Sequence, residues 1–179
     1  MISSFKFSLL IFYFFLCLYL MMQWEWLKTG IGPLKDLLAF LNTEAKTADI
    51  HKKQVIRELR NNLNVFHNGM INNVSEDVII DLLQNECYKE ALKSNFKFKK
   101  LKAGAIEPYH IHDERNRRYE GWNAERMMDK IDEKIEEVRV IKKMNGGSVS
   151  QVKNNISLML SNLYYRMKLL ADFIKSEHK

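Results

Sequence analysis

Proline and glycine are scarce, two and seven residues in a chain of 179. With so few forced breaks, long uninterrupted elements are expected. Cysteine is scarcer in effect than in number, because Cys17 lies in an apolar run and Cys87 stands alone in the rest of the chain, which excludes a disulfide within that remainder. There is no glycine-rich phosphate loop, no paired-cysteine motif, and no Ser or Cys nucleophile in a recognisable setting. Charge of one sign is lacking too. A net charge of +6 that includes 22 acidic residues is less lopsided than a nucleic-acid specialist normally shows. What the chain does have is 46% hydrophobic residues, enough to build a core.

Those hydrophobic residues are unevenly spread. Phe7 to Met22, FSLLIFYFFLCLYLMM, contains no charge and is apolar on every face. A bilayer core of about 30 Å needs roughly 20 helical residues, and Ile2 to Trp24 supplies them if Lys6 reaches back to the headgroups. We therefore expect a transmembrane anchor over 1–27, with Phe7, Leu10, Phe14, Phe15 and Leu18 in the lipid and Trp24 and Trp26 at the interface. The rival, a cleaved signal peptide, wants small residues after the apolar run, where this chain has Tyr19-Leu20-Met21-Met22. Lys6 against Lys28, Lys35 and Lys46 is a weak guide to orientation. Cysteine use tips the expectation to a single-pass inner-membrane protein whose soluble domain faces the cytoplasm.

The remainder reads as all-α, an antiparallel helical bundle. Residues 28–46 form a juxtamembrane hinge, Gly30-Ile31-Gly32-Pro33, and an amphipathic helix bearing Leu34, Leu37, Leu38 and Leu41, which packs on the bundle or lies on the membrane surface. The bundle itself occupies 47–179. Its helices are expected over Thr47 to Asn68, stopped by Asn68-Gly69, and from a Ser75 cap to Lys93 with Val78, Ile79, Leu82, Leu83, Ala91 and Leu92 buried. Met128, Ile131, Ile135 and Val138 mark a helix capped by Asn123. After Asn145-Gly146-Gly147, apolar residues from Val149 to Ile174 mark another, giving a C-terminal αα-hairpin whose seam also suits self-association. Between about 94 and 121 no helical period is found, and connections this long are often functional.

Three constellations are candidates for chemistry. The stretch Arg60-Asn61-Asn62-Leu63-Asn64-Val65-Phe66-His67 resembles, over these eight residues, the Arg-to-His signature of HEPN ribonucleases, small helical bundles that act as dimers. The resemblance implies His67 as acid or base at an RNA 2′-hydroxyl and Arg60 stabilising phosphate charge. Seven residues span two helical turns, so both share a face, although that face lies close to the apolar one. The alternative is a solvated arginine and a histidine that helps end its helix.

His110, His112 and Asp113 are candidate metal ligands, since two histidines at i and i+2 point the same way on an extended chain. Surface histidines in a polar loop are the alternative. The third constellation is basic and aromatic. Lys93, Lys97, Lys99, Lys100 and Lys102 interleave with Phe96 and Phe98, and Arg115, Arg117 and Arg118 follow, a pattern suited to an anionic surface. For a tethered domain the closest such surface is lipid; nucleic acid is the weaker alternative.

Taken together, these features lead us to expect a membrane-anchored helical interaction module, a component of a larger assembly that acts by binding lipid and a protein partner or a second copy. No cofactor or small-molecule substrate is indicated. A membrane-disrupting effector or small toxin, and the HEPN-like ribonuclease, are the alternatives.

Overall fold

The structure is a computed structural model and describes residues 31–176. The expected anchor, with Phe7, Leu10, Phe14, Phe15, Leu18, Trp24 and Trp26, lies outside the described residues. Among the described residues no helix is long and apolar enough to cross a membrane.

The described chain is all-helical. Its helices are α1 (Ile31–Glu44), α2 (Ile50–Ile71), α3 (Glu76–Leu82), α4 (Glu86–Lys93), α5 (Ala124–Met144) and α6 (Ile156–Lys175). Three 3-10 turns, Phe98–Lys100, Pro108–His110 and Glu114–Tyr119, punctuate the connection between α4 and α5.

At the centre lies α6, which touches α1, α2 and α5. A helix buried on one side shows a stripe of apolar residues, whereas α6 also buries Ser161, Tyr165, Arg166 and Leu169. Its stripe is filled by this chain's own helices. The remaining side is covered by the turns around His110 and Glu114–Tyr119.

Leu34, Leu37 and Leu41 of α1 are buried against α2 and α6, so of the two placements left open for this helix the structure takes the bundle. Gly32 and Pro33 fall inside its first turn rather than before it.

Three expected boundaries move. Helix α2 runs through Asn68-Gly69 and ends at Ile71, where Asn73 turns left-handed at φ 49° and the Val74 N–H returns to the Gly69 carbonyl at 2.8 Å. Gly69 serves close packing instead, since a Cβ there would stand 2.1 Å from Ile79 Cδ1. The helix expected from Ser75 to Lys93 is two helices broken at Leu83-Gln84-Asn85, and its buried face carries Ile79, Ile80, Leu83 and Ala91 while Val78, Leu82 and Leu92 are exposed. Finally α6 begins at Ile156, not near Val149, because Asp77 holds the preceding connection by accepting from the Val149 N–H at 2.8 Å and the Ser148 hydroxyl at 2.9 Å.

Gly69 yields a first prediction. Alanine gains about 1 kcal/mol of helix propensity over glycine, but overpacking a filled contact costs about 1–3 kcal/mol. Ile79 is fully buried and cannot swing away freely. Gly69→Ala should therefore lower stability by roughly 1 kcal/mol in urea unfolding, opposite to the usual effect of Gly→Ala in a helix.

Candidate functional site

The connection between α4 and α5 is ordered by its aromatic residues. Phe96 and Phe98 pack edge to face at 5.2 Å, and Phe98 meets Tyr88 of α4 at 5.4 Å. Both phenylalanines are buried, which leaves Lys97 and Lys99, and Lys93 at the end of α4, pointing into solvent. None of these three has an ion-pair partner among the described residues. Lys100 and Lys102 are committed elsewhere. Lys100 reaches Asp49 at 2.8 Å and lies 5.7 Å from the centre of the Phe96 ring, while Lys102 donates to the Ser176 carbonyl at the end of α6. Lys100 is also the main reason the Asp49 carboxyl sits below its ordinary value.

Beyond Lys102 the chain closes into a compact loop. The Ile106 N–H donates to the Trp122 carbonyl and the Gly121 N–H to the Ile106 carbonyl, each at 2.8 Å, so the loop ends meet. Within it His110 is buried against Phe173. Its Nδ1 accepts the Glu107 N–H at 2.8 Å, so Nε2 carries the proton and donates to Ser176 Oγ at 2.8 Å. Burial holds the imidazole below its usual pKa. Both ring nitrogens are thus occupied, Nδ1 within the loop and Nε2 in tying the loop to the end of α6.

His112 is exposed, and Asp113 caps the third 3-10 turn and holds Arg115 at 2.7 Å. Among the described residues no group of three His, Cys, Asp or Glu is placed to hold a metal ion.

The arginines of this loop lie against rings. Arg115 sits 4.0 Å from the centre of Tyr165 and donates to Ser161 Oγ at 3.0 Å. Arg118 lies 5.1 Å from Tyr119, and Arg126, in the first turn of α5, lies 3.9 Å from Trp122. Sequence reading picked out Arg115, Arg117 and Arg118 but missed Arg126 and Arg166. The buried Arg166 of α6 donates from Nε to the Tyr119 hydroxyl, a contact that no sequence spacing announces. Arg117 points outward and pairs loosely with Glu114 at 3.5 Å.

Arg60 and His67 stand on α2. Arg60 donates to the side-chain oxygens of Asn42 and Asn61, the latter at 2.9 Å. Its Nε and the His67 Nδ1 are buried without a hydrogen-bond partner. As α2 continues to Ile71, His67 does not end the helix.

A second polar cluster lines a shallow cleft of about 230 Å3, measured to its open mouth, between α2, α4 and α5. Asn62 grips the chain at the α3–α4 break, donating to the Gln84 carbonyl at 2.7 Å and accepting its N–H at 2.8 Å. One turn earlier Glu58 accepts the Cys87 and Tyr88 N–H groups at 2.7 and 3.0 Å, which caps α4. Asn85 donates to Asp132 and Glu136 and accepts from Arg139, each at 2.7 Å. Lys89, aided by Asn85, holds the Glu136 carboxyl down to about 2. The cluster's donors and acceptors face one another, so it joins three helices and leaves few groups for a ligand.

Compared with protein-family models, with curated proteins and with solved structures, the chain finds no match.

Proposed function

We propose that this protein acts by binding rather than by catalysis, as a helical interaction module anchored by its N-terminal segment, whose α4–α5 connection meets the anionic face of the bilayer. The observation that carries this reading is the division of labour in Lys93 to Lys99. Two phenylalanines are fixed in the core and three lysines are held outward beside them, none of them in an ion pair among the described residues. From Lys93 to Arg126 the sequence holds nine lysines and arginines against five acidic residues, so the segment is locally more basic than the chain as a whole. A cytoplasmic leaflet attracts such residues by about 1 kcal/mol each within a Debye length. Further subunits of an assembly would dock beside the lipid.

The test uses the full chain in nanodiscs of neutral or anionic lipid, read by amide hydrogen exchange. Peptides spanning 93–102 should exchange more slowly on the anionic discs, and added salt should remove the difference. Replacing Lys93, Lys97 and Lys99 together by Gln should lower the docking equilibrium constant by about a hundredfold, from three contacts of about 1 kcal/mol each. Equal exchange on both lipids would eliminate the lipid reading.

A further inference from the structure

We propose that the loop closed by Ile106 and Trp122 carries a binding site for a phosphomonoester group, held between Arg118 and Arg166 at the edge of Tyr119. The argument begins with charge. Tyr119 and Trp122 stack edge to face at 5.0 Å, and three guanidinium groups surround the pair: Arg118 at 5.1 Å and Arg166 at 5.8 Å from Tyr119, and Arg126 at 3.9 Å from Trp122. None of the three has a carboxylate partner among the described residues.

Arg166 is the second, independent observation. It is 5% exposed, and its hydrogen bond is the one from Nε to the neutral Tyr119 hydroxyl. Withdrawing a guanidinium from water without a counter-charge is strongly unfavourable, and a cation–π contact returns only part of that loss. One ring moreover serves both Arg118 and Arg166. The terminal nitrogens of Arg166 are not among the sealed polar atoms of the core, so the forked end of the side chain remains reachable. A fork of paired N–H groups fits the oxygens of a phosphate, and a doubly charged monoester answers three cations better than a single carboxylate does. Neighbouring acids do not fill this role, since Asp113 is taken by Arg115 and Glu114 by Arg117.

The site does not rest on the lipid reading of the lysines, because it should bind phosphate where no bilayer is present. The experiment follows thermal unfolding of the full chain in neutral detergent with inorganic phosphate, against chloride at matched ionic strength. Phosphate should raise the Tm by mass action. Arg118→Ala, an exposed position that leaves folding intact, should weaken phosphate binding at least about tenfold, equivalent to about 1.4 kcal/mol. Arg166→Met should remove the phosphate effect while matching or exceeding the wild-type Tm without phosphate, because it deletes a buried charge. If Arg166→Met does not fold, Arg118→Ala decides alone.

No phosphate-specific rise, or an equal rise in wild type and variants, overturns the proposal; the latter would be the general salting effect of phosphate. Nanodiscs then identify the source. Preference for phosphatidic acid over phosphatidylserine that Arg118→Ala abolishes assigns the group to a lipid headgroup. Phosphate binding without that preference assigns it to a soluble phosphate compound.

Discussion

Phe98→Ala is expected to cost about 3–5 kcal/mol of unfolding free energy and to release the lysine-bearing segment together with it. Phe98 is fully buried, between Phe96 at 5.2 Å and Tyr88 at 5.4 Å. Tyr88 in turn donates its hydroxyl to Asp129 of α5, so the ring stands at the junction of α4, α5 and the connection. A cavity there cannot be filled by Lys97 or Lys99 without burying charge. Urea unfolding measures the first effect. The second appears as faster amide exchange at residues 94–102 under native conditions. A loss below about 1 kcal/mol would mean that the turn at Phe98–Lys100 does not order the lysines, and the case for a built surface would fall with it.

Glu58→Ala should cost roughly 3 kcal/mol, because it leaves two N–H groups at the start of α4, one buried and one part-buried, without an acceptor. Glu58→Gln removes the charge and keeps one of the two acceptor oxygens, so it differs from the wild type by one hydrogen bond as well as by the titration. Burial raises the Glu58 carboxyl above its ordinary value, and the two backbone N–H groups only partly offset this. A carboxyl whose folded pKa is raised binds its proton more tightly folded than unfolded. Its contribution to stability is complete below the unfolded pKa and is lost as pH rises through the folded one. The wild type should therefore weaken relative to Glu58→Gln as pH rises above the ordinary glutamate range of about 4. Denaturation of both from that range upward measures the difference, in which carboxyls common to both proteins, such as Glu136, cancel. A gap constant with pH would show that the two hydrogen bonds offset burial in full, and a wild type that gains on the variant as pH rises would show that they outweigh it.

The legible parts of the fold were those that repeat locally. The stripe Met128, Ile131, Ile135 and Val138 is buried as spaced, and Asn123 caps α5 by accepting the Arg126 N–H at 2.9 Å. Caps and stripes depend on residues within a turn or two of one another, so a linear reading reaches them. The break at Leu83-Gln84-Asn85 was not legible. Nothing in Leu82 to Glu86 forbids a helix; Glu58 and Asn62, more than twenty residues away, hold the chain open there by hydrogen bonds. Ser75 shows the same limit from the other side. It occupies the cap position of α3, as expected, but makes no side-chain cap hydrogen bond, and the acid beside it, Asp77, is drawn to Ser148 and Val149.

The candidate site divides along the same line. Lys97 and Lys99 alternate with the buried Phe96 and Phe98 and are exposed, a pattern visible in the sequence, and Lys93 is exposed at the end of α4. His110 looked like a possible ligand because adjacency of histidine and carboxylate is all a sequence displays. Tertiary structure placed its two nitrogens against Glu107 and Ser176.

By itself the sequence determined the all-α class, the core of α5, the position of the long connection and its basic, aromatic character, since each follows from composition or from spacing along one element. Only the tertiary structure decided that α1 joins the bundle, that α6 lies at its centre against α1, α2, α5 and the turns of the connection, and that Arg166 meets Tyr119, the ring that Arg118 also faces. Those outcomes depend on which buried polar groups find partners across the fold, and that pairing has no period in the chain.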